Sequence, residues 1–89
     1  MRIIAGSARA LVLEAAKALR QPFGMTSLIL SCWRRNPEVF GLEGAHEYHP
    51  SDTKVRYTLY GRSGLICLGH IIRTNGGYRV VHNVYQGDE

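Results

Sequence analysis

The stretch GRSGLICLGHIIRTNGGYRVV, residues 61–81, decides how the end of this chain folds. Isoleucine and leucine dominate residues 65–73, and a second β-prone segment covers residues 78–84. Between them, Asn75-Gly76 is a favoured two-residue turn for an antiparallel hairpin. Gly76-Gly77 would also serve and would shift the register by one residue, so the buried strand face stays open. The pattern predicts a two-stranded antiparallel hairpin.

Two helices are predicted in the first part of the chain. Ser7 is a suitable N-cap for a helix that extends to about residue 20, where the segment 21–24, QPFG, breaks it. Thr26 is predicted to cap a second helix over about 27–35. The buried stripe of this helix is expected to contain Leu28, Ile29, Cys32 and Trp33.

A long connection follows the second helix. Residues 37–40 are expected to form one further turn, in which Val39 and Phe40 pack on the core. Residues 41–49 are predicted to form a loop. The segment 36–50 contains three glutamates and no lysine or arginine.

A third main helix is predicted from a strong start signal, Pro50-Ser51-Asp52, to about Tyr60. Gly61 then stands where a left-handed C-cap is expected. Val55 and Leu59, at i and i+4 spacing, are predicted to face inwards. Threonine, tyrosine and basic side chains are predicted to point outwards: Thr53, Lys54, Arg56, Tyr57 and Tyr60. The fold class predicted is therefore α+β, with three helices followed by the hairpin.

Composition favours one small folded domain over residues 1–85, with a disordered acidic tail at 86–89. A chain of 89 residues folds alone only marginally, so a homodimer and a protein partner remain open alternatives. No apolar run approaches the length of a membrane span. Cys32 and Cys67 both lie in apolar runs and are predicted to be buried free thiols, which indicates a reducing, cytoplasmic location.

Positive charge is segregated from a negative loop at 36–50 and from a negative tail. Residues 1–35 contain six basic side chains against Glu14. The formal net charge is +4 and the pI is about 9.4. Residues 51–80 contain five basic side chains against Asp52 alone: Lys54, Arg56, Arg62, Arg73 and Arg79. This distribution indicates an acidic partner such as nucleic acid, although an ordinary solvated surface is the simpler alternative.

The order of helices followed by a hairpin resembles the winged helix-turn-helix superfamily over about residues 4–84. The segments PSDTKVRYTLYG, GRSGLI and IIRTNGGYRVV carry the resemblance. One departure is the connection at 36–49, which is much longer than the turn of the simplest helix-turn-helix. The resemblance is one of pattern and not of a diagnostic signature. The superfamily has no catalytic motif to compare.

The resemblance implies binding of double-stranded DNA and a role in transcription regulation or DNA processing. The third helix would enter the major groove with Thr53, Lys54, Arg56, Tyr57 and Tyr60. The hairpin would act as a wing on the phosphates with Arg73, Asn75 and Arg79, and Arg62 would lie between them. The alternative is a protein–protein adaptor in which the third helix, the hairpin and the acidic loop dock a partner, without DNA binding.

Catalytic and metal chemistry find little support in the sequence. His46-Glu47-Tyr48-His49 lacks the H-E-x-x-H spacing of a zinc protease, and no cysteine pair completes a site. Cys32 shares a helix stripe with Trp33 and is predicted to be core, and Ser63-Gly64 lacks a nucleophile-elbow pattern. We therefore expect neither an enzyme nor a cofactor.

Overall fold

The structure, a computed structural model, describes residues 6–81. It is an α+β fold of four helices followed by one antiparallel hairpin. The elements are α1 (Ala8–Lys17), α2 (Met25–Arg35), α3 (Pro37–Phe40), α4 (Asp52–Tyr60), β1 (Ile71–Thr74) and β2 (Gly77–Val80). The predicted strand end at 82–84 and the predicted tail at 86–89 lie outside the described residues.

The four helices and the hairpin enclose one apolar core. α1 packs against α2, α4 and β2, and α2 also contacts α3 and α4. The largest fully buried side chains come from every one of these elements and from the α4–β1 connection: Val12, Leu28, Cys32, Phe40, Val55, Leu59, Leu65, Ile71 and Val80. Burial of each large aliphatic side chain contributes about 1.5–3 kcal/mol, so this cluster orients α4 and the hairpin relative to each other.

The predicted capping residues account for only some of the observed helix boundaries. The Ser7 hydroxyl accepts from the Ala10 amide and starts α1 as predicted. However, α1 ends at Lys17. The amide of Ala18 donates to the carbonyls of Glu14 and Ala15, the Leu19 amide donates to the Ala16 carbonyl, and these bonds close the last turn. The prediction that Thr26 caps α2 is wrong, since the helix begins at Met25, two residues before the predicted start, with Gly24 as the N-cap.

The start of α4 is confirmed, while its end is not. The Ser51 hydroxyl accepts from the Lys54 amide, and Val55 and Leu59 are fully buried as predicted. Gly61 has φ −63° and ψ 172°, an extended conformation, so the prediction of a left-handed C-cap is wrong. Glycine is required there for another reason: a Cβ atom would lie 2.5 Å from the Tyr57 carbonyl oxygen.

The connection between α2 and α4 is an ordered loop. Residues Gly41 and Pro50 form an antiparallel bridge, and the Ser51 amide donates to the Phe40 carbonyl at 2.7 Å. The half-buried Trp33 indole donates to the His46 carbonyl at 2.7 Å and ties the loop to α2. The side chain of Phe40 is buried as predicted, but Val39 is 40% exposed, because the single turn of α3 presents only one apolar position to the core.

The hairpin is shorter than the sequence predicts. Residues 62–70 form turns, and β1 begins only at Ile71, whereas the strand was predicted to start at residue 65. The Leu68 and Gly69 amides are used locally, on the carbonyls of Gly64 and Ile66, so they are not available for a strand ladder. Cys67 is exposed on these turns, which corrects the prediction that it is buried.

The turn and register of the hairpin are those of Asn75-Gly76. Ile71 pairs with Val80, Ile72 with Arg79, Arg73 with Tyr78 and Thr74 with Gly77. Phe23, from the α1–α2 connection, bridges to the outer edge of β2 through two 2.8 Å backbone hydrogen bonds with Tyr78. Gly77 has φ +133°, and a Cβ atom there would lie 2.2 Å from the Phe23 carbonyl oxygen. The close approach therefore requires glycine at this position.

Candidate nucleic-acid interface

The exposed face of α4 carries polar, basic and aromatic side chains. Thr53, Arg56, Tyr57 and Tyr60 lie at i, i+3, i+4 and i+7, so they form one stripe, and all four are exposed. Tyr57 is 76% exposed and Tyr60 is 46% exposed. The opposite face buries Val55, Leu59 and Thr58. We call the stripe of four residues the exposed α4 face.

Two basic side chains of α4 have partners within the chain. The Lys54 ammonium donates to the Gly41 carbonyl at 3.0 Å, which directs it towards the loop. Arg56 forms an i,i+4 ion pair with Asp52 at 3.2 Å, in which both side chains are more than half exposed, at 53% and 61%. Exposed helix pairs of this kind contribute only about 0.3–0.5 kcal/mol. Arg56 can therefore exchange Asp52 for a phosphate at little cost.

Aromatic rings connect α4 to the hairpin. The rings of Tyr60 and Tyr78 meet edge to face at 6.3 Å, and their hydroxyl groups are hydrogen-bonded to each other. On its other side, Tyr78 stacks with Phe23 at 6.0 Å. Edge-to-face and stacked pairs contribute about 0.5–1.5 kcal/mol beyond simple burial. The exposed α4 face and β2 are thus held together at Tyr60.

The hydrogen bond between the Tyr60 and Tyr78 hydroxyls raises the pKa of Tyr78, and burial raises it further. The positive charges of Arg73 and Arg56 act in the opposite direction and lower this pKa. Both guanidinium groups are therefore close enough to influence the same phenol. Arg56, from α4, and Arg73, from β1, contribute to one local positive field around the tyrosine pair.

The hairpin arginines are divided between two sides of the strand pair. Residues directly opposite one another in an antiparallel pair share a face, and successive residues alternate. Arg73 therefore lies on the Tyr78 side, towards α4, whereas Arg79 lies with Ile72 on the other side. Asn75 is exposed at the turn. Gly76, also in the turn, lies near Pro22, since a Cβ atom would come within 2.8 Å of that ring.

A cleft of about 530 Å³ opens along the other flank of the exposed α4 face. Its walls are the first turn of α1 and the α4–β1 connection, and Tyr57 and Arg62 line it. Arg9 also lines the cleft and donates from Nη1 to the Ser63 carbonyl at 2.9 Å, which ties the two walls together. Among the described residues that line the cleft, none is acidic.

The nine predicted DNA-binding residues therefore lie at several separate positions on the surface. Arg56, Tyr60 and Arg73 come together, and Tyr57 and Arg62 share the cleft. Thr53 lies near the start of α4, Lys54 turns to the loop, and Asn75 and Arg79 lie at the turn and on the far side of the hairpin.

Sequence reasoning missed two residues of this surface, Tyr78 and Arg9. Tyr78 would have been found only with the hairpin register, because its position opposite Arg73 places it beside α4. Arg9 is separated from Ser63 by 54 residues, and no local pattern links the two.

Two other kinds of feature, a metal site and a membrane-spanning helix, are not found among the described residues. Residues 6–81 bring no three histidine, cysteine, aspartate or glutamate side chains together as a metal site. Within the same residues, no helix has the length and apolar character required to cross a bilayer. Comparison of the chain with protein families, curated proteins and solved structures gives no match.

Proposed function

We propose that the protein binds double-stranded DNA through the second half of α4 and the hairpin. The observation that carries this proposal is the Tyr60–Tyr78 contact, which joins the two elements into one surface with Arg56 and Arg73. Arginine binds phosphate through two parallel charge-assisted hydrogen bonds, and exposed tyrosines add apolar contact. The +4 net charge adds a general attraction for the phosphate backbone.

Charge also indicates which end of α4 approaches DNA. The loop 41–50, with exposed Glu43 and Glu47, is tied to the beginning of the helix through the bond from Lys54 to Gly41. Asp52 adds a further negative charge at that end. The arginines lie towards the other end and on the hairpin. The second half of α4 is therefore the better DNA contact, and Thr53 and Lys54 contribute less than the superfamily resemblance implies.

The order of the elements supports a winged-helix arrangement for this interface. In that arrangement α4 would be the major-groove helix, α3 an addition to the connection before it, and the hairpin the wing. The hairpin is anchored on the α1–α2 connection by Phe23, and its orientation towards α4 is fixed by Tyr78. A small transcriptional regulator or a DNA-processing accessory is the function that we infer by analogy of fold.

Binding of a labelled random duplex, measured by fluorescence anisotropy at two salt concentrations, tests the proposal. Each phosphate contact releases counterions, so we expect affinity that falls steeply between low and moderate salt. Arg73→Ala should weaken binding to all duplexes alike and reduce the salt slope by about one. Arg34→Ala is the matched control, because it removes the same charge from an exposed site on α2.

Two results would contradict the proposal. Wild-type protein that fails to bind the duplex at low salt would exclude DNA binding and favour the adaptor alternative, with a protein partner on Tyr57 and Tyr60. Equal losses for Arg73→Ala and Arg34→Ala would show a diffuse attraction that does not involve the hairpin surface.

A further inference from the structure

The cleft beside α4 is distinct from the surface around Tyr60 and Tyr78, since Tyr57 lines it and those two tyrosines do not. Its volume of about 530 Å³ lies within the range of small-molecule sites, which is about 300–1,000 Å³. Two guanidinium groups, of Arg9 and Arg62, line it together with the hydroxyl-bearing Ser7 and Ser63. Among the described residues that line the cleft, none carries a carboxylate, and the two guanidinium groups attract a negatively charged ligand.

The floor of the cleft is formed by backbone that has no room for larger side chains. Cβ atoms at Gly61 and Gly64 would lie 2.5 and 2.6 Å from the carbonyl oxygens of Tyr57 and Leu59. These glycines therefore allow the α4–β1 connection to turn tightly beneath the arginines. The bond from Arg9 to the Ser63 carbonyl holds α1 against this connection, so the cleft is formed before any ligand binds.

Tyr57 adds an aromatic ring at the edge of the cleft. It is 76% exposed, and its hydroxyl makes no hydrogen bond among the described residues. An exposed ring next to arginines can stack on a nucleobase while the arginines bind the phosphate, and such stacking is sequence-tolerant. We propose that this cleft binds a nucleotide phosphate ester, with Arg62 at the phosphate and Tyr57 on the base or sugar.

The phosphate has two sources, a free nucleotide or the backbone of bound DNA, and the second source rests on the proposed function. Calorimetric titration with adenosine monophosphate tests the first source. We expect Arg62→Ala to weaken this binding about tenfold, the effect of one lost charge-assisted hydrogen bond. Tyr57→Ala should also weaken it, whereas Tyr57→Phe keeps the stacking ring and should weaken it less. Arg34→Ala, at an exposed site on α2, is the charge-matched control.

The duplex assay tests the second source with the same variants. If adenosine monophosphate does not bind, the duplex assay alone decides. The cleft is still supported as a phosphate site if the salt slope for duplex DNA falls by about one in Arg62→Ala but not in Arg34→Ala. The inference is overturned if Arg62→Ala changes neither the nucleotide affinity nor the duplex slope. Absence of duplex binding by the wild type would be a failure of the proposed function alone, because the nucleotide titration is read separately. Unchanged circular dichroism of Arg62→Ala would show that the exposed substitution leaves the fold intact.

Discussion

The two cysteines differ in chemistry although both lie in apolar stretches of sequence. Burial in the helical core raises the pKa of Cys32 to about 12, and the nearby charge of Arg35 only partly opposes this. Cys67 is exposed on the turns before β1. A thiolate is the reactive form, so Cys32 should be inert in the folded protein.

We expect a thiol reagent at neutral pH to modify Cys67 alone in the native protein and Cys32 only after unfolding. The quantity to measure is the number of thiols that react before and after denaturant is added. Cys67→Ser should abolish the native reaction and leave the one after unfolding. Equal reaction rates for both thiols in the native protein would contradict the buried position of Cys32.

His70 should make the stability of the fold depend on pH. Burial lowers the pKa of its imidazole below the usual 6.5, and the positive charge of Lys17 adds to the effect. The unfolded chain therefore takes up this proton at a higher pH than the folded protein does. The stabilising contribution is complete above about pH 6.5 and is lost as the pH falls through the folded-state pKa.

We therefore expect the Tm to decrease as the pH falls below 6.5, and His70→Gln to reduce that dependence. Thermal unfolding followed by circular dichroism at several pH values measures both. The prediction concerns the difference between the two proteins, since carboxylates titrate in both. Parallel curves for wild type and variant would show that His70 does not contribute.

At the scale of elements, the contact between α4 and the hairpin depends on the two hydrogen-bonded tyrosines. Tyr60→Phe removes the phenol that raises the pKa of Tyr78. We expect that pKa to fall towards its usual value of 10, measured from the ultraviolet absorbance of tyrosinate. The free energy of unfolding should decrease by about 0.5–1.5 kcal/mol, the usual contribution of one hydrogen bond.

The control for this prediction is Tyr57→Phe, which removes a hydroxyl from the same helix where it makes no bond among the described residues. It should change neither the pKa of Tyr78 nor the stability by a comparable amount. A raised folded-state pKa of Tyr78 contributes stability at neutral pH that disappears as the pH rises through that pKa. Tyr60→Phe should therefore also reduce the loss of stability at high pH, and an unchanged alkaline profile would count against the contact.

Local signals in the sequence predicted the helices better than the hairpin. Ser7 and Ser51 are capping residues whose hydroxyls act within one turn, so their roles are readable from the chain. The apolar run at 65–73 does not reveal its conformation, because a buried turn and a buried strand look alike in composition. The register could not be chosen locally, since it depends on the approach of Phe23 to Gly77.

The candidate interface could also be predicted only in part: local helical spacing predicted some of its residues, and tertiary packing brought in the others. Exposure of Arg56, Tyr57 and Tyr60 followed from helical spacing, because Val55 and Leu59 fix the inward face. The meeting of Arg73 with α4, and the separation of Arg79 from it, required the register and the docking of the hairpin. Arg9 joins the surface only through tertiary packing of α1.

At the scale of the whole molecule, negative and positive side chains are separated towards opposite ends of α4. The glutamates of the loop 41–50 lie towards its beginning, and the arginines of the hairpin and of the α4–β1 connection lie towards its end. This separation favours one orientation for a polyanion and disfavours the reverse. In the complex that we propose, DNA in the favoured orientation would contact the hairpin and leave the loop in solvent.

The measurement that tests this account most directly is a map of backbone amide NMR shifts when a random duplex is added to the isotope-labelled protein at low salt. We predict that the largest changes occur at residues 56–62 and 73–79, with small changes in the loop 42–49 and at Arg34. The changes should diminish as salt is added. Changes concentrated in the loop or on α2, or no changes at low salt, would contradict the claim that α4 and the hairpin form a DNA-binding surface.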